Sequence, residues 1–299
     1  MNRFYHKSAF LNEIKNIITD IEGIYVDATF GSGGHSAIIL KNIGINGLIL
    51  AFDKDEQAIY NNIINDKRLK LLHENFKYIK NELLYNNINH ISGIIVDLGI
   101  SSCQLDNPKR GFSIRFNNKL DMRMNCNSNI TAQTIINNYS EQKLTKIFYE
   151  YGNIINAKKI SKKIVEKRYY KNIITTFELI NSIKSEIPKY KTNKFLARLF
   201  QSIRIEVNNE IETLKYLLIQ LLDILKIGGR IGIISYHSVE DKIVKSFFKS
   251  GTLDGIYKED IYGNKQIPFK YILNKKPTQI EIKKNSRIRS ARIRIVEKL

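Results

Sequence analysis

Three acids and a cluster of glycines carry the chemical information in this chain. Ile24-Tyr25-Val26 is an apolar run closed by Asp27, and a loop with Gly31, Gly33 and Gly34 follows it. The apolar segment Ala37-Ile38-Ile39-Leu40 comes next, so the order is strand, tight turn, helix. Glycines in such a turn let a ligand approach the backbone, because they lack Cβ and tolerate positive φ. A second run, Leu48-Ile49-Leu50-Ala51-Phe52, ends in Asp53. An acid about 20 residues past a glycine loop can accept both hydroxyls of a ribose. A third run, Ile94-Ile95-Val96, ends in Asp97. In open parallel sheets ligands sit at the carboxyl ends of strands, so the three acids mark one rim.

The loop reads Gly31-Ser32-Gly33-Gly34-His35-Ser36, without the third glycine of a pyrophosphate-binding fingerprint. Helix N-termini favour anions, and an acid directly before the loop opposes a bound phosphate. Asp27 suits a cationic group instead. S-adenosylmethionine, which carries a sulfonium and an ammonium, fits better than a dinucleotide.

These positions need elements to hold them. Strand patterns fall near 24–27, 48–52, 69–72 and 94–98, and helical patterns near 8–19, 35–43, 55–65 and 76–86. Such alternation predicts a parallel sheet with helices on both faces. From Asp106 the pattern changes: 106–130 is loop-like, and 131–204 reads as helices without a strand. The helical part carries Lys158, Lys159, Lys162, Lys163, Lys167, Arg168 and Lys171, a basic face suited to a polyanionic substrate or simply to water. A long amphipathic helix from Ile211 to Leu225 is expected to stop at Gly228-Gly229, followed by a strand at Ile231-Ser235. Ser238, with Glu240 and Asp241 behind it, predicts a capped helix. Ser290-Val296 alternates and reads as a closing strand. The α/β domain therefore comprises 1–105 and 205–299, interrupted by a helical insertion over 106–204.

Net charge is +19 over 299 residues, which points to a nucleic acid as partner. The wealth of Ile, Asn and Lys is also what an AT-rich genome produces. No apolar run approaches the roughly 20 residues of a membrane span, and residues 1–7 lack a signal-peptide pattern. Cys103 and Cys126 make neither a disulfide framework nor a metal cluster, so no structural metal and a cytoplasmic location are expected.

Five separated segments carry a family resemblance. They are Asp27-Ala28-Thr29-Phe30-Gly31-Ser32-Gly33-Gly34-His35-Ser36, Asp97-Leu98-Gly99-Ile100-Ser101-Ser102, Arg110-Gly111-Phe112-Ser113, Leu120-Asp121-Met122-Arg123-Met124 and Ser235-Tyr236-His237-Ser238-Val239-Glu240-Asp241. Asn208, Glu210, Leu214 and Arg287-Ile288-Arg289-Ser290-Ala291 continue the likeness. Together they resemble the bacterial ribosomal RNA small subunit methyltransferase H family, from His6 to Lys298. The resemblance implies a Rossmann-like class I methyltransferase sheet with a helical domain that recognises substrate. It implies S-adenosyl-L-methionine-dependent N4-methylation of a cytidine in the decoding centre of 16S rRNA, with the small ribosomal subunit as partner. Matching positions place Gly33, Gly34, His35, Asp53, Phe76, Asp97 and Gln104 around the cofactor. Cys103, Asn153-Ile154, Lys194-Phe195-Leu196 and Ser286 depart from the family pattern.

Asp97 is the candidate proton acceptor, with the Leu98 and Gly99 carbonyls beside it. His237, just after a strand end, is a second catalytic candidate, with a structural role as the alternative. Arg110, Arg115 and Arg123 are candidates for RNA phosphates. A C5-methylating reading would need Cys103 as thiolate nucleophile, but no Pro-Cys arrangement supports it. A non-catalytic RNA-binding assembly factor is the alternative from another functional class, and the intact glycine loop, Asp53 and Asp97 speak against it.

Overall fold

The computed structural model describes residues 8–299. The predicted signal-free N-terminal segment, and His6 with it, lie outside the described residues. The chain divides into two compact units, 1–99 with 212–299, and 100–211.

The first unit is built on seven strands: β1 (Ile24–Asp27), β2 (Leu48–Asp53), β3 (Leu69–His73), β4 (Ile91–Asp97), β5 (Leu225–Ser235), β6 (Phe269–Lys275) and β7 (Arg292–Lys298). They form one sheet in the order β3-β2-β1-β4-β5-β7-β6. Neighbours from β3 through β5 pair in parallel, and β7 runs antiparallel to both β5 and β6. Strand order reverses at β1 and β4, which opens a crevice at the carboxyl ends there. This is the parallel sheet that the alternation implies, in the Rossmann-like form that the resemblance implies.

Side-chain parity divides the sheet between two cores. Val26, Leu50, Phe52, Ile94, Val96, Ile231 and Ile233 face one core, which contains Leu214, Leu218 and Leu221 of a long helix. Tyr25, Ile49, Ala51 and Ile95 face the other, with Phe10, Ile14, Ile17 and Ile39. Both faces are buried, as the near-continuous apolar runs of parallel strands require.

Helices in chain order are α1 (Gly34–Leu40), α2 (Glu56–Tyr60), α3 (Ile79–Tyr85), α4 (Ser102–Asp106), α5 (Ala132–Asn138), α6 (Glu141–Glu150), α7 (Ala157–Tyr170), α8 (Thr176–Ser182), α9 (Thr192–Val207), α10 (Glu210–Ile224), α11 (Ser238–Ser250) and α12 (Gln279–Lys284). Several expectations shift. The helix read over 8–19 is turns and a short 3-10 helix, Glu13–Ile17. The pattern at 55–65 yields only α2, whose five residues bury nothing. Gly228-Gly229 does not end a helix: α10 stops at Ile224 and the glycines lie inside β5. There Leu225 pairs with Ile91 and Arg230 with Gly93, so the chain bulges over 226–229, and Gly228 at φ 73° supplies the bend. The sequence reading missed β6, whose burial pattern does not alternate cleanly.

The second unit is helical, with a core of Leu144, Phe148, Ile160, Ile164, Leu199 and Ile203 among others. Its breaks with the first unit fall after Gly99 and after Ile211, against the expected 105 and 204. Arginines of its first loop hold the loop itself. Arg110 is buried and donates to the Arg123 and Met124 carbonyls at 2.9 and 3.0 Å. Arg123 binds Asp121 and the Cys126 and Ser128 carbonyls. Asn208 clamps the same loop, accepting from Met124 N–H and donating to Met122 O, both at 2.7 Å. Arg110 and Arg123 are therefore structural, correcting the expectation that they face phosphates. Arg115 is exposed and paired with Asp106 at 3.0 Å.

Candidate active site

The register of the sheet places the three acids. Asp27 pairs with Ala51 of β2 and Ile95 of β4. Asp53 and Asp97 each lie two residues farther along their strands, about 7 Å past Asp27 at the strand rise. Two residues preserve parity, so all three carboxyl groups point to the same face. The strand tips are laced beyond their ladders, with Phe30 N–H on Phe52 O and Leu98 N–H on Ile234 O.

Asp27 sits deepest, fully buried. Its oxygens accept from Ser36 Oγ at 2.7 Å and from Thr29 N–H at 3.2 Å. Burial raises its pKa, against the opposing field of His35. His35 was expected on the cofactor side. Its ring is buried, with Nε2 2.9 Å from the Ala9 carbonyl. A carbonyl only accepts, so that contact fixes the proton on Nε2. His35 is the principal group favouring the ionised form of Asp97 and, after burial, the first influence on Asp27.

Asp53 closes β2 half-buried. Oδ2 accepts from Gly31 N–H at 2.8 Å and Oδ1 from Asp55 N–H at 2.8 Å. A carboxylate has about four lone-pair sites, so each oxygen keeps capacity for a hydroxyl. Burial pushes Asp53 up to about 6, opposed by those two amides. Phe76 opens a 3-10 turn three residues past His73, which pairs with Asp53. Its side chain is partly buried against the core that contains Leu50 and Phe52.

Gly31 and Gly33 adopt φ of 55° and 75°. A Cβ on Gly33 would meet Ile64 Cδ1 at 2.7 Å and Phe30 Cζ at 2.8 Å. A Cβ on Gly34 would meet Ser8 Oγ at 2.2 Å. The loop is thus glycine by geometry as well as by dihedral angle.

Asp97 has a partner that the sequence did not reveal. Tyr236, directly after β5, donates its hydroxyl to Asp97 Oδ1 at 2.9 Å. Its ring also covers Gly99, where a Cβ would lie 3.3 Å from Cδ2. Gly99 takes φ 107°. Asp97 N–H donates to Thr29 Oγ1 at 2.7 Å, tying the strand tip to the glycine loop. Burial pushes Asp97 up to about 6; His35 and the Tyr236 hydroxyl lower it, and the charges of Asp27 and Glu240 raise it. Tyr236 itself is held well above 10, by burial and the neighbouring Asp97. It stays a donor at every working pH. The signal for Tyr236 was the spatial neighbourhood of β4 and β5, which no local pattern encodes.

His237 caps α11, one residue earlier than the expected Ser238. Its Nδ1 accepts from Glu240 N–H at 3.4 Å, and Glu240 Oε2 reaches back to Tyr236 and His237 N–H at 2.9 and 3.3 Å. The reciprocal bonding is a capping box with a histidine in place of Ser or Thr. The capping box fixes the turn that carries Tyr236 through His237 Nδ1. Gln104 belongs to the second unit, where its side-chain oxygen accepts from Ser101 N–H at 3.1 Å as half of another capping box. Cys103 is on the same short helix, exposed.

The site fits S-adenosylmethionine. Three acids converge on a glycine turn, a donor set that attracts a sulfonium and an ammonium and repels a pyrophosphate. Asp53 retains acceptor capacity for ribose hydroxyls.

The sequence profile of the MraW methylase family matches residues 3–299. A ribosomal RNA small subunit methyltransferase H of Flavobacterium johnsoniae is 46% identical over 297 residues, covering 99% of this chain and 98% of that one. The protein of the same name from Karelsulcia muelleri is 48% identical over 300 residues, covering 98% of each chain. That of Bacteroides fragilis is 44% identical over 299 residues, covering 98% of this chain and 97% of its own.

Proposed function

This chain belongs to the MraW methylase family and is an S-adenosylmethionine-dependent methyltransferase, and from that premise we propose that it methylates the exocyclic N4 of a cytidine in the decoding centre of 16S rRNA. The observation that carries the reading is the Asp97–Tyr236 pair at the rim shared with Asp27 and Asp53.

The N4 amino group of cytosine is a weak nucleophile, because its lone pair is delocalised into the ring. Methylation there needs an acceptor that draws on an N4 hydrogen as positive charge develops. Tyr236 occupies Asp97 Oδ1 and leaves Oδ2 to accept from the amino group. When the N–C bond forms, the nitrogen carries one hydrogen too many, and Asp97 takes it. Asp97, at about 6, is ionised near neutrality yet basic enough to receive that proton. The Leu98 and Gly99 carbonyls are further acceptors for the same amino group. Bound S-adenosylmethionine supplies an electrophilic methyl group on sulfur.

Asp53 would hold the ribose hydroxyls, Gly33 and Gly34 the close approach of the loop backbone, and Phe76 the adenine side. Asp27 would lie beneath the cationic end, where a bound cation would favour its ionised form against burial. Gln104 is proposed on the methionine or adenine side, as the resemblance implies. The helical unit would bind RNA through α7, whose outer face exposes Lys158, Lys159, Lys162, Lys163 and Lys167.

Incubation of the protein with unmodified small ribosomal subunits, naked 16S rRNA and labelled S-adenosylmethionine tests the proposal. Label should enter the small-subunit RNA of at least one substrate. Absence of label from both, with the cofactor bound, would leave an RNA-binding assembly role in its place.

A further inference from the structure

The Arg287-Ile288-Arg289-Ser290-Ala291 motif directly precedes β7, at the end of the connection from β6. Because β6 is antiparallel to β7, which is antiparallel to β5, β6 runs in the same sense as β1 to β5. Its carboxyl end, Lys275, therefore lies on the edge where Asp27, Asp53 and Asp97 end their strands. Chain 276–291 crosses along that edge to Arg292, which pairs with Ser235, the residue after the Ile234 that pairs with Asp97. Two strand spacings, about 10 Å, separate the start of β7 from Asp97.

This crossing is the most one-sidedly charged connection on that edge. Residues 276–292 contain six Lys and Arg and one acid, Glu281. Glu281 caps α12, accepting from Thr278 N–H at 2.7 Å and Thr278 Oγ1 at 2.8 Å. Ile288 and Ala291 are buried and pin the segment to the core, while Arg287 and Arg289 on either side of Ile288 are exposed. Asn285 fixes the start of the 3-10 turn by accepting from Arg287 N–H at 3.1 Å. Lys283 and Lys284, in the last turn of α12, are exposed as well.

We propose that this crossing segment binds the phosphates of single-stranded RNA flanking the target nucleotide, with Arg287 and Arg289 as the principal contacts. The inference rests on the RNA-methylating reading above. A base reaches such a cleft only when unstacked, so the flanking backbone must be held in single-stranded form. Phosphate contacts position the strand without reading sequence. A basic edge pinned by buried Ile288 and Ala291 does that without a conformational change.

The test is binding of a short single-stranded RNA across a range of salt concentrations, with S-adenosylmethionine affinity measured on the same preparations. For the double variant Arg287→Ala, Arg289→Ala, RNA affinity should fall about tenfold near 0.1 M salt. The slope of log K against log salt should shrink by about 1.4, at ~0.7 per lost contact. Cofactor affinity should not change, which separates this outcome from misfolding. Arg287→Lys with Arg289→Lys should keep most of the slope. Unchanged RNA affinity and slope would overturn the proposal. So would a loss seen only with assembled subunits, which would point to an acidic protein as the partner. Because binding is read without turnover, failure of the unaltered protein to methylate RNA would instead fault the functional reading.

Discussion

Tyr236 and Asp97, 139 residues apart in sequence, share a hydrogen bond of 2.9 Å at neighbouring strand tips. The bond uses one carboxylate oxygen, Oδ1, and under the proposed mechanism the other is the working acceptor. It also lowers a pKa that burial raises.

A pH profile follows from that pair. The acceptor is the ionised form of Asp97, so kcat/KM should rise with pH through about 6 and then level. Tyr236→Phe removes a bond that favours the carboxylate. Bonds to charged groups contribute about 1.5–3 kcal/mol, so the rising limb should move up by about one pH unit or more. Steady-state profiles of the two proteins check this; an unmoved limb would separate Tyr236 from the proton acceptor.

Stability should oppose activity at the same position. A folded-state pKa raised above the unfolded value means that the folded protein prefers Asp97 protonated. The penalty is absent below about 3.8, grows as pH rises toward 6, and is full above. Asp97→Asn should therefore stabilise the fold at pH 8 by about 1–3 kcal/mol, less at pH 5, while turnover collapses. Denaturant titrations at the two pH values measure it. Equal stability of the variant and the parent at both would contradict burial as the cause.

Cofactor affinity should depend on Asp53. Removing its charge with Asp53→Asn should weaken S-adenosylmethionine binding about 10- to 100-fold, on the order of 1.4–2.8 kcal/mol. In the parent, affinity should increase as pH rises through about 6. Calorimetric titration across that range reads both effects.

Gly33→Ala should be harmful for two independent reasons. The residue has φ 75°, and an added Cβ would lie within 3 Å of Phe30 and Ile64 atoms. Backbone strain of this kind costs about 1–3 kcal/mol. The variant should melt lower and bind the cofactor more weakly, whereas alanine at Gly228, whose Cβ would meet nothing within 4 Å, should affect only the fold.

The sequence made the strands legible because β1, β2 and β4 are buried on both faces and read as continuous apolar runs. Each ends in an acid, so Asp27, Asp53 and Asp97 could be placed on one rim before any coordinates. What stayed hidden depended on neighbours distant in the chain. Tyr236 meets Asp97 only through pairing of β4 with β5. His35 looked like a cofactor residue because it follows the glycines, yet α1 turns it inward onto Ala9. His237 stood just after a strand end, and its Nδ1 caps α11, a use of the ring that the sequence did not show. Gly228-Gly229 signalled a helix stop, and the β5 bulge uses the same left-handed freedom for another purpose. β6 lies at the sheet edge, where exposed Lys270 and Tyr271 obscure the strand pattern.

The central claim is the identity of the methylated atom and the part that Asp97 takes in it. Nucleoside mass spectrometry of small-subunit RNA, after reaction with the parent protein and with Asp97→Asn, tests both. The account predicts N4-methylcytidine with the parent and its loss by at least 100-fold in rate, about 2.7 kcal/mol of barrier, with the variant that still binds cofactor. Methylation at C5, or N4-methylcytidine at an undiminished rate from Asp97→Asn, would contradict it.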